Sequence, residues 1–193
     1  MNLGLTTSFI IAGILLLSIL SMNMNVSQSS TTLTMRQMIQ QRAGTIAEVL
    51  EKDISNIAYS QGGPYDDPIT DAREGFIEFK TDINNDGTQD VIQWKHDASN
   101  NRLIRTLNGD ETTFNWSITD FNMAYLDNNR DIIGISTISK LEGNDQSKRN
   151  SIRFIDISIT VRSPEQIGGM GSSDPDYIKT NWNREFRPIN LSL

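Results

Sequence analysis

The first stretch of the chain is apolar on every side. Residues 1–35 contain no Asp, Glu, Lys, Arg or His, and residues 3–24 are dominated by Leu, Ile, Phe, Met and Ala. At ~1.5 Å of rise per residue, those 22 positions reach ~33 Å as a helix, enough to cross a hydrocarbon core of ~30 Å. Every charge kept out of such a segment avoids a penalty of ~2.5–3.5 kcal/mol at the helix centre. The pattern predicts one membrane-spanning or assembly-buried helix. It does not predict a cleaved signal peptide: no basic residue precedes the apolar run, and no Ala-x-Ala pattern follows it.

Residues 25–34 are rich in Ser and Thr, whose hydroxyls compete for the backbone, and the composition leaves open whether they are helix or a melted joint. From 35 to 60 the rhythm changes to one apolar stripe: Met35, Met38, Ile39, Ala43, Ile46, Ala47, Val49, Leu50, Ile54, Ile57 and Ala58. That is the spacing of an amphipathic helix with one buried face. Gly62-Gly63-Pro64 supplies its stop. No proline precedes Pro64, so one nearly continuous helix from about residue 6 to 60 is permitted.

Beyond the loop expected at 65–75, the period drops to two. Strands are expected at 76–81 (Ile77 and Phe79 on one face), 91–95 (Ile92, Trp94), 102–107, 112–118, 121–126, 132–138, 151–162 (Ile155, Ile157, Ile159, Val161) and 177–186. Phe154 beside Ile155 breaks the alternation and suggests a bulge. Residues 142–150 read as a polar loop, and the glycine-rich 163–176 as a mobile one. A helix followed by hairpins predicts an α+β fold, with a long N-terminal helix packed on an antiparallel β-sheet. The expected divisions are a transmembrane or assembly helix over 1–24, a helical stem over 25–62 and a β-rich domain over 63–193.

Composition narrows the chemistry. The chain of 193 residues carries a net charge of −7, which argues against nucleic-acid binding, a process dominated by phosphate neutralisation. It has no cysteine and a single histidine, His96, which removes thiolate chemistry, Cys-based zinc sites and the usual Ser-His-Asp arrangement. No phosphate-binding glycine loop and no paired carboxylates at catalytic spacing stand out, so no enzyme is expected. Three Asn-x-Ser triplets, at Asn25, Asn115 and Asn190, are as common as chance allows.

The sharpest local motif is Asp82-Ile83-Asn84-Asn85-Asp86-Gly87-Thr88-Gln89-Asp90. Oxygen-bearing side chains at positions 1, 3, 5 and 9, a backbone carbonyl at 7 and a glycine at 6 match a calcium loop. The candidate ligands for Ca²⁺ are Asp82, Asn84, Asp86, the Thr88 carbonyl and Asp90. Gln93 stands where an EF-hand would carry its Glu, so this is no helix-loop-helix site. The competing reading is a hairpin turn that uses Asp, Asn and Gly for their conformational freedom. The segment 125–131 reads as a plain turn.

Together, the apolar helix, the amphipathic continuation ending near Ile54-Ser55-Asn56-Ile57-Ala58-Tyr59 and the antiparallel strands resemble the type IV pilin and pseudopilin superfamily. The large minor pilins and J-type pseudopilins are the nearer match, through residues 79–94 (FKTDINNDGTQDVIQW), 103–106 (LIRT) and 118–127 (ITDFNMAYLD). The resemblance implies a filament subunit whose partners are other pilin or pseudopilin subunits, held in the inner membrane by one helix. Its C-terminal domain would be periplasmic or extracellular. Arg36, Arg42 and Lys52 after the helix would favour a cytoplasmic C-terminal part on charge alone. Arg36, however, lies ~12 residues past the span, and whole domains translocate largely regardless of charge. Gly4-Leu5 is the position of a prepilin-type cut, with Phe9 where that family carries Glu and no basic residue before Gly4. A membrane-anchored exported domain that never assembles is the alternative.

Overall fold

The structure, a computed structural model, describes residues 3–63, 65–134, 145–166 and 177–192. The elements are α1 (Leu3–Ser55), β1 (Ile69–Arg73), β2 (Phe76–Thr81), β3 (Asp90–Asp97), β4 (Arg102–Leu107), β5 (Asp110–Phe114), β6 (Ile118–Leu126), α2 (Gln146–Ser151), β7 (Phe154–Arg162) and β8 (Lys179–Phe186), with a closing 3-10 turn at Ile189–Ser192. The chain divides into two compact units, Met1–Met38 and Ile39–Leu193.

The first unit consists of the N-terminal part of α1. The Ser/Thr-rich stretch that composition left undecided is helical. Its hydroxyls turn back onto carbonyls one turn earlier: Thr31 donates to Ser27 O, Thr32 to Gln28 O and Thr34 to Ser30 O, at 3.0, 2.9 and 3.0 Å. These bonds give the hydroxyls partners within the helix instead of outside it.

The second unit is built on the rest of α1 and two antiparallel sheets, an α+β arrangement. One sheet has the order β1-β2-β3-β4-β5, the other β6-β7-β8. The sequence pattern predicts a single sheet, and the structure divides it after β5. Ser117 takes a left-handed conformation (φ 54°) between β5 and β6. β6 then pairs with β7 rather than continuing the hairpin series.

Ile39, Ala43, Ile46, Leu50, Ile54 and Ile57 belong to one buried cluster with Ile77, Phe79, Ile92, Trp94 and Leu103 of the first sheet and Ile155, Ile157, Ile159 and Val161 of the second. The stripe read from 35 to 60 is therefore the face that becomes the core. Burying each such side chain contributes ~1.5–3 kcal/mol of transfer free energy.

The helix ends earlier than the glycines suggest. Its last residue is Ser55, and the turn out of it is made by Ala58, left-handed at φ 63°. Tertiary contacts, rather than Gly62-Gly63, hold the turn that follows. Ala58 N–H donates to Lys80 O at 3.0 Å, Asp82 N–H to Tyr59 O at 2.8 Å, the Thr81 hydroxyl to Asn56 O at 2.7 Å and the Asn190 amide to Ile57 O at 3.2 Å. The last helical carbonyls are taken up locally, Lys52 O by the Asn56 amide at 2.9 Å and Asp53 O and Ile54 O by the N–H groups of Asn56 and Ile57 at 3.2 Å each, while the end of β2 and the C-terminal turn hold the residues that follow.

Three further expectations are corrected. The loop expected at 65–75 contains β1, hidden because Asp71 and Arg73 look like loop residues. They pair at 2.7 Å, and a register shift between Ile69 and Asp71 breaks the alternation. The polar loop expected at 142–150 is α2 over its described part: Asp145 accepts from Lys148 N–H at 3.2 Å, and Arg149 is buried, donating to Ile69 O and Asp67 at 2.8 and 2.7 Å. Phe154 makes no bulge. β7 keeps its register with β6 from Asp120 to Leu126, and Phe154 lies under the guanidiniums of Arg130 and Arg187 at 5.0 and 5.6 Å. Of the strand expected at 132–138, Ile132 makes a single bridge to Leu126, and residues 135–138 lie outside the described residues. So do most of the glycine-rich loop, residues 167–176, and residues 142–144.

Candidate functional site

Two features stand out, the surface of the first unit and the loop between β2 and β3.

Over residues 4–34 nearly every position of α1 is exposed, apolar ones included: Phe9 is 70%, Leu16 68% and Leu33 65% accessible. It is the one helix among the described residues that is long and apolar enough to cross a membrane. Three hydroxyls of its apolar part turn onto the helix itself, with Thr7 and Ser8 donating to Gly4 O and Ser18 to Ile14 O at 3.0, 2.9 and 2.9 Å. Side-chain donors bonded to the helix's own carbonyls lower the cost of entering hydrocarbon. On one face the small side chains of Ser18, Ser21 and Asn25, between Ile14 and Met22, leave a shallow groove of about 560 Å³.

The loop between β2 and β3 holds Asp82, Asn84, Asp86 and Thr88 of the calcium motif, and Asp90 is the first residue of β3. Hydrogen bonds organise it. Asp82 Oδ1 and Oδ2 accept from the N–H groups of Asp86 and Gly87 at 3.0 and 2.9 Å. Asp86 Oδ1 accepts from Thr88 N–H at 2.7 Å, and its Oδ2 from the Asn84 amide at 2.8 Å. Asp90 Oδ2 accepts from Ile83 N–H at 3.0 Å, and its Oδ1 from the Asn108 amide at 2.6 Å. Asn85 and Gly87 take left-handed conformations at φ 62° and 81°, and the Tyr59 hydroxyl pins Asn85 at 2.8 Å.

Every carboxylate oxygen in the loop therefore already accepts a hydrogen bond. Among the described residues, no group of three or more Asp, Glu, His or Cys side chains is placed to hold a metal. As it stands, the arrangement is a turn of Asp/Asn type, closed by its own backbone. The N–H and hydroxyl of Thr88, followed by the Asn84 amide, hold the Asp86 carboxyl below its ordinary value.

Residues 125–131 form the turn expected of them: Asp127 Oδ1 accepts from the N–H groups of Asn129 and Asp131 at 2.8 and 3.0 Å. His96 sits in β3 with Nε2 3.1 Å from Ile118 O and its ring against the edge of Phe121, a packed structural residue.

The group that pattern reading passed over is Asp53. It lies within the apolar stripe of α1, almost fully buried. It accepts from Trp94 Nε1 at 2.9 Å and from Arg105 Nε and a terminal nitrogen at 2.6 and 3.0 Å. The signal was present as a charge between Leu50 and Ile54, on the wrong face for solvent, and as Arg105 alternating with Leu103 on β4. A second buried polar group is Tyr125, whose hydroxyl donates toward Phe76 O and Arg73 O at 2.9 and 3.2 Å. Burial, with the Asp71 charge second, pushes its phenol far up, so it stays protonated.

No family model, no curated protein and no solved structure matches the chain.

Proposed function

We propose that the protein is a structural subunit of the minor pilin or pseudopilin kind, held in a membrane by residues 3–24 and packed through that helix against other subunits of a filament. The observation that carries this reading is the division of labour along α1. One uninterrupted helix is apolar and exposed at its start, then enters the core of a folded domain with Ile39, Ile46, Leu50, Ile54 and Ile57. Such a helix couples a folded domain to an apolar phase. Lipid and neighbouring helices both satisfy the exposed apolar surface. The shallow face at Ser18, Ser21 and Asn25 suits close helix approach, because small side chains bring backbones together where the hydrophobic effect gives no drive. The soluble domain is assigned to the periplasmic or extracellular side, and calcium is at most an added ligand of the loop at 82–90, not the basis of its order.

The absence of cysteine makes the test clean. Single substitutions Ile14→Cys, Leu17→Cys and Ser21→Cys, oxidised in intact membranes of the source cell, should yield disulfide-linked dimers for a subset of positions on one helix face. Membrane retention with no cross-link at any position would favour the second reading, an anchored exported domain that does not assemble. Release of the chain by alkaline washing would defeat both.

A further inference from the structure

The face of the five-stranded sheet turned away from the core carries a polar row that crosses the strands. Glu78, Gln93, Thr106 and Glu111 are register partners in succession on β2, β3, β4 and β5. The row begins on β1, where the Thr70 hydroxyl donates to Glu78 Oε1 at 2.5 Å. Gln93 then donates through Nε2 to Glu78 Oε2 at 2.5 Å, which leaves its own Oε1 free to accept. One end of the row is thus internally satisfied.

The other end is not. Among the described residues, neither the Thr106 hydroxyl nor the Glu111 carboxylate has a hydrogen-bond or ion-pair partner. With Val91 and the exposed Asn108 and Gly109, these groups line an open depression of about 570 Å³ on the sheet surface. Its rim is fixed: Asn108 accepts from Val91 N–H at 2.9 Å and donates to Asp90 at 2.6 Å, and Gly109 (φ 96°) adds no side chain to block the opening.

We propose that this depression receives an arginine side chain from a protein partner. Gln93 Oε1, Thr106 Oγ1 and the Glu111 carboxylate form a line of acceptors on neighbouring strands ~4.8 Å apart. A planar guanidinium with five donors suits such a line better than a point-charge ammonium. Val91 offers an apolar wall for the methylene stem. One carboxylate cannot hold a hard divalent ion that needs six to eight oxygens. The chain's net charge of −7 attracts a basic partner over a longer range. This assignment stands independently of whether the protein assembles into a filament.

The test uses the full chain, ¹⁵N-labelled in detergent micelles, titrated with N-acetylarginine amide and with its uncharged isostere N-acetylcitrulline amide. Arginine should shift the amide signals of Gln93, Thr106 and Glu111 saturably, and citrulline should bind about tenfold more weakly or worse, the loss expected for removing a charged hydrogen-bond partner. Glu111→Gln, isosteric and exposed, should abolish the difference between the two probes, whereas Asp110→Asn on the same strand should keep it. Equal binding of the two probes, no saturable shift at these residues, or an unchanged preference in Glu111→Gln would each overturn the assignment.

Discussion

Replacing Asp53 by alanine should be among the most damaging single changes in the folded domain. The carboxylate is 1% exposed and its partner Arg105 is 14% exposed, with the shortest contact at 2.6 Å. The substitution leaves a nearly buried guanidinium without a counter-charge and Trp94 Nε1 without an acceptor. Breaking a buried pair from one side costs ~3–5 kcal/mol, against a total stability of ~5–15. For a domain of this size each kcal/mol moves the melting temperature by ~2–4 °C, so the loss is roughly 6–20 °C.

The same reasoning fixes the outcome of a double-mutant cycle. In Asp53→Leu with Arg105→Met, no charge is left stranded, and the remaining cost is the unpaired Trp94 indole, ~1–3 kcal/mol. The double variant should therefore be more stable than Asp53→Leu alone, a sign reversal from additivity. Urea unfolding of the full chain in micelles, followed by tryptophan fluorescence, reads all four corners. A single substitution costing under ~1 kcal/mol, or a double variant that loses the sum of the singles, would refute the idea that this pair clamps α1 to the sheet.

Other outcomes follow from the same structure. Leu50→Asp, which places a charge among fully buried residues, should unfold the domain, while Glu51→Lys loses only the exposed pair with Arg184 and should cost no more than ~1 kcal/mol by thermal melting. The loop at 82–90, closed by its own hydrogen bonds, should leave the melting temperature the same in calcium and in chelator; a rise of several degrees with calcium, abolished by Asp86→Ala, would assign the ion to Asp82, Asn84, Asp86, Thr88 and Asp90. Hydrogen bonds lower the folded-state pKa of Asp86 (from Thr88, then Asn84) and of Asp97 (from Asn100, then Arg102). Their stabilising effect is thus present above the ordinary carboxylate value near 3.8 and fades as pH falls through the lowered one, so carbon-detected titration should find both midpoints below 3.8.

What could be read from the chain was periodicity over long segments. The stripe from Ile39 to Ile57 and the alternation of Ile155, Ile157, Ile159 and Val161 both became core, because each repeats often enough for one face to be unmistakable. The features that escaped were short or depended on tertiary partners. β1 has five residues, of which only Ile69 and Ala72 are buried apolar ones, and its buried Asp71 pairs with the part-exposed Arg73, so the apolar trace is too short to read as a strand. α2 spans little more than one turn and contributes a buried arginine. The turn after α1 is held by hydrogen bonds from residues 56–59 to the end of β2, which lies distant along the chain, and local glycines cannot report that. Spacing carries no information on whether an oxygen faces an ion or a backbone N–H.

The central claim is that one helix serves two solvents, lipid over residues 3–24 and protein core from Ile39 onward. Single cysteines placed one at a time along α1, spin-labelled in lipid nanodiscs, measure this directly through relaxation by oxygen and by a water-soluble nickel complex. Oxygen should dominate at every position from 5 to 20, with no face in water. From 39 to 57 both reagents should follow a 3.6-residue period, with minima at Ile39, Ala43, Ile46, Leu50, Ile54 and Ile57. Nickel access on any face between 8 and 20 would contradict the account.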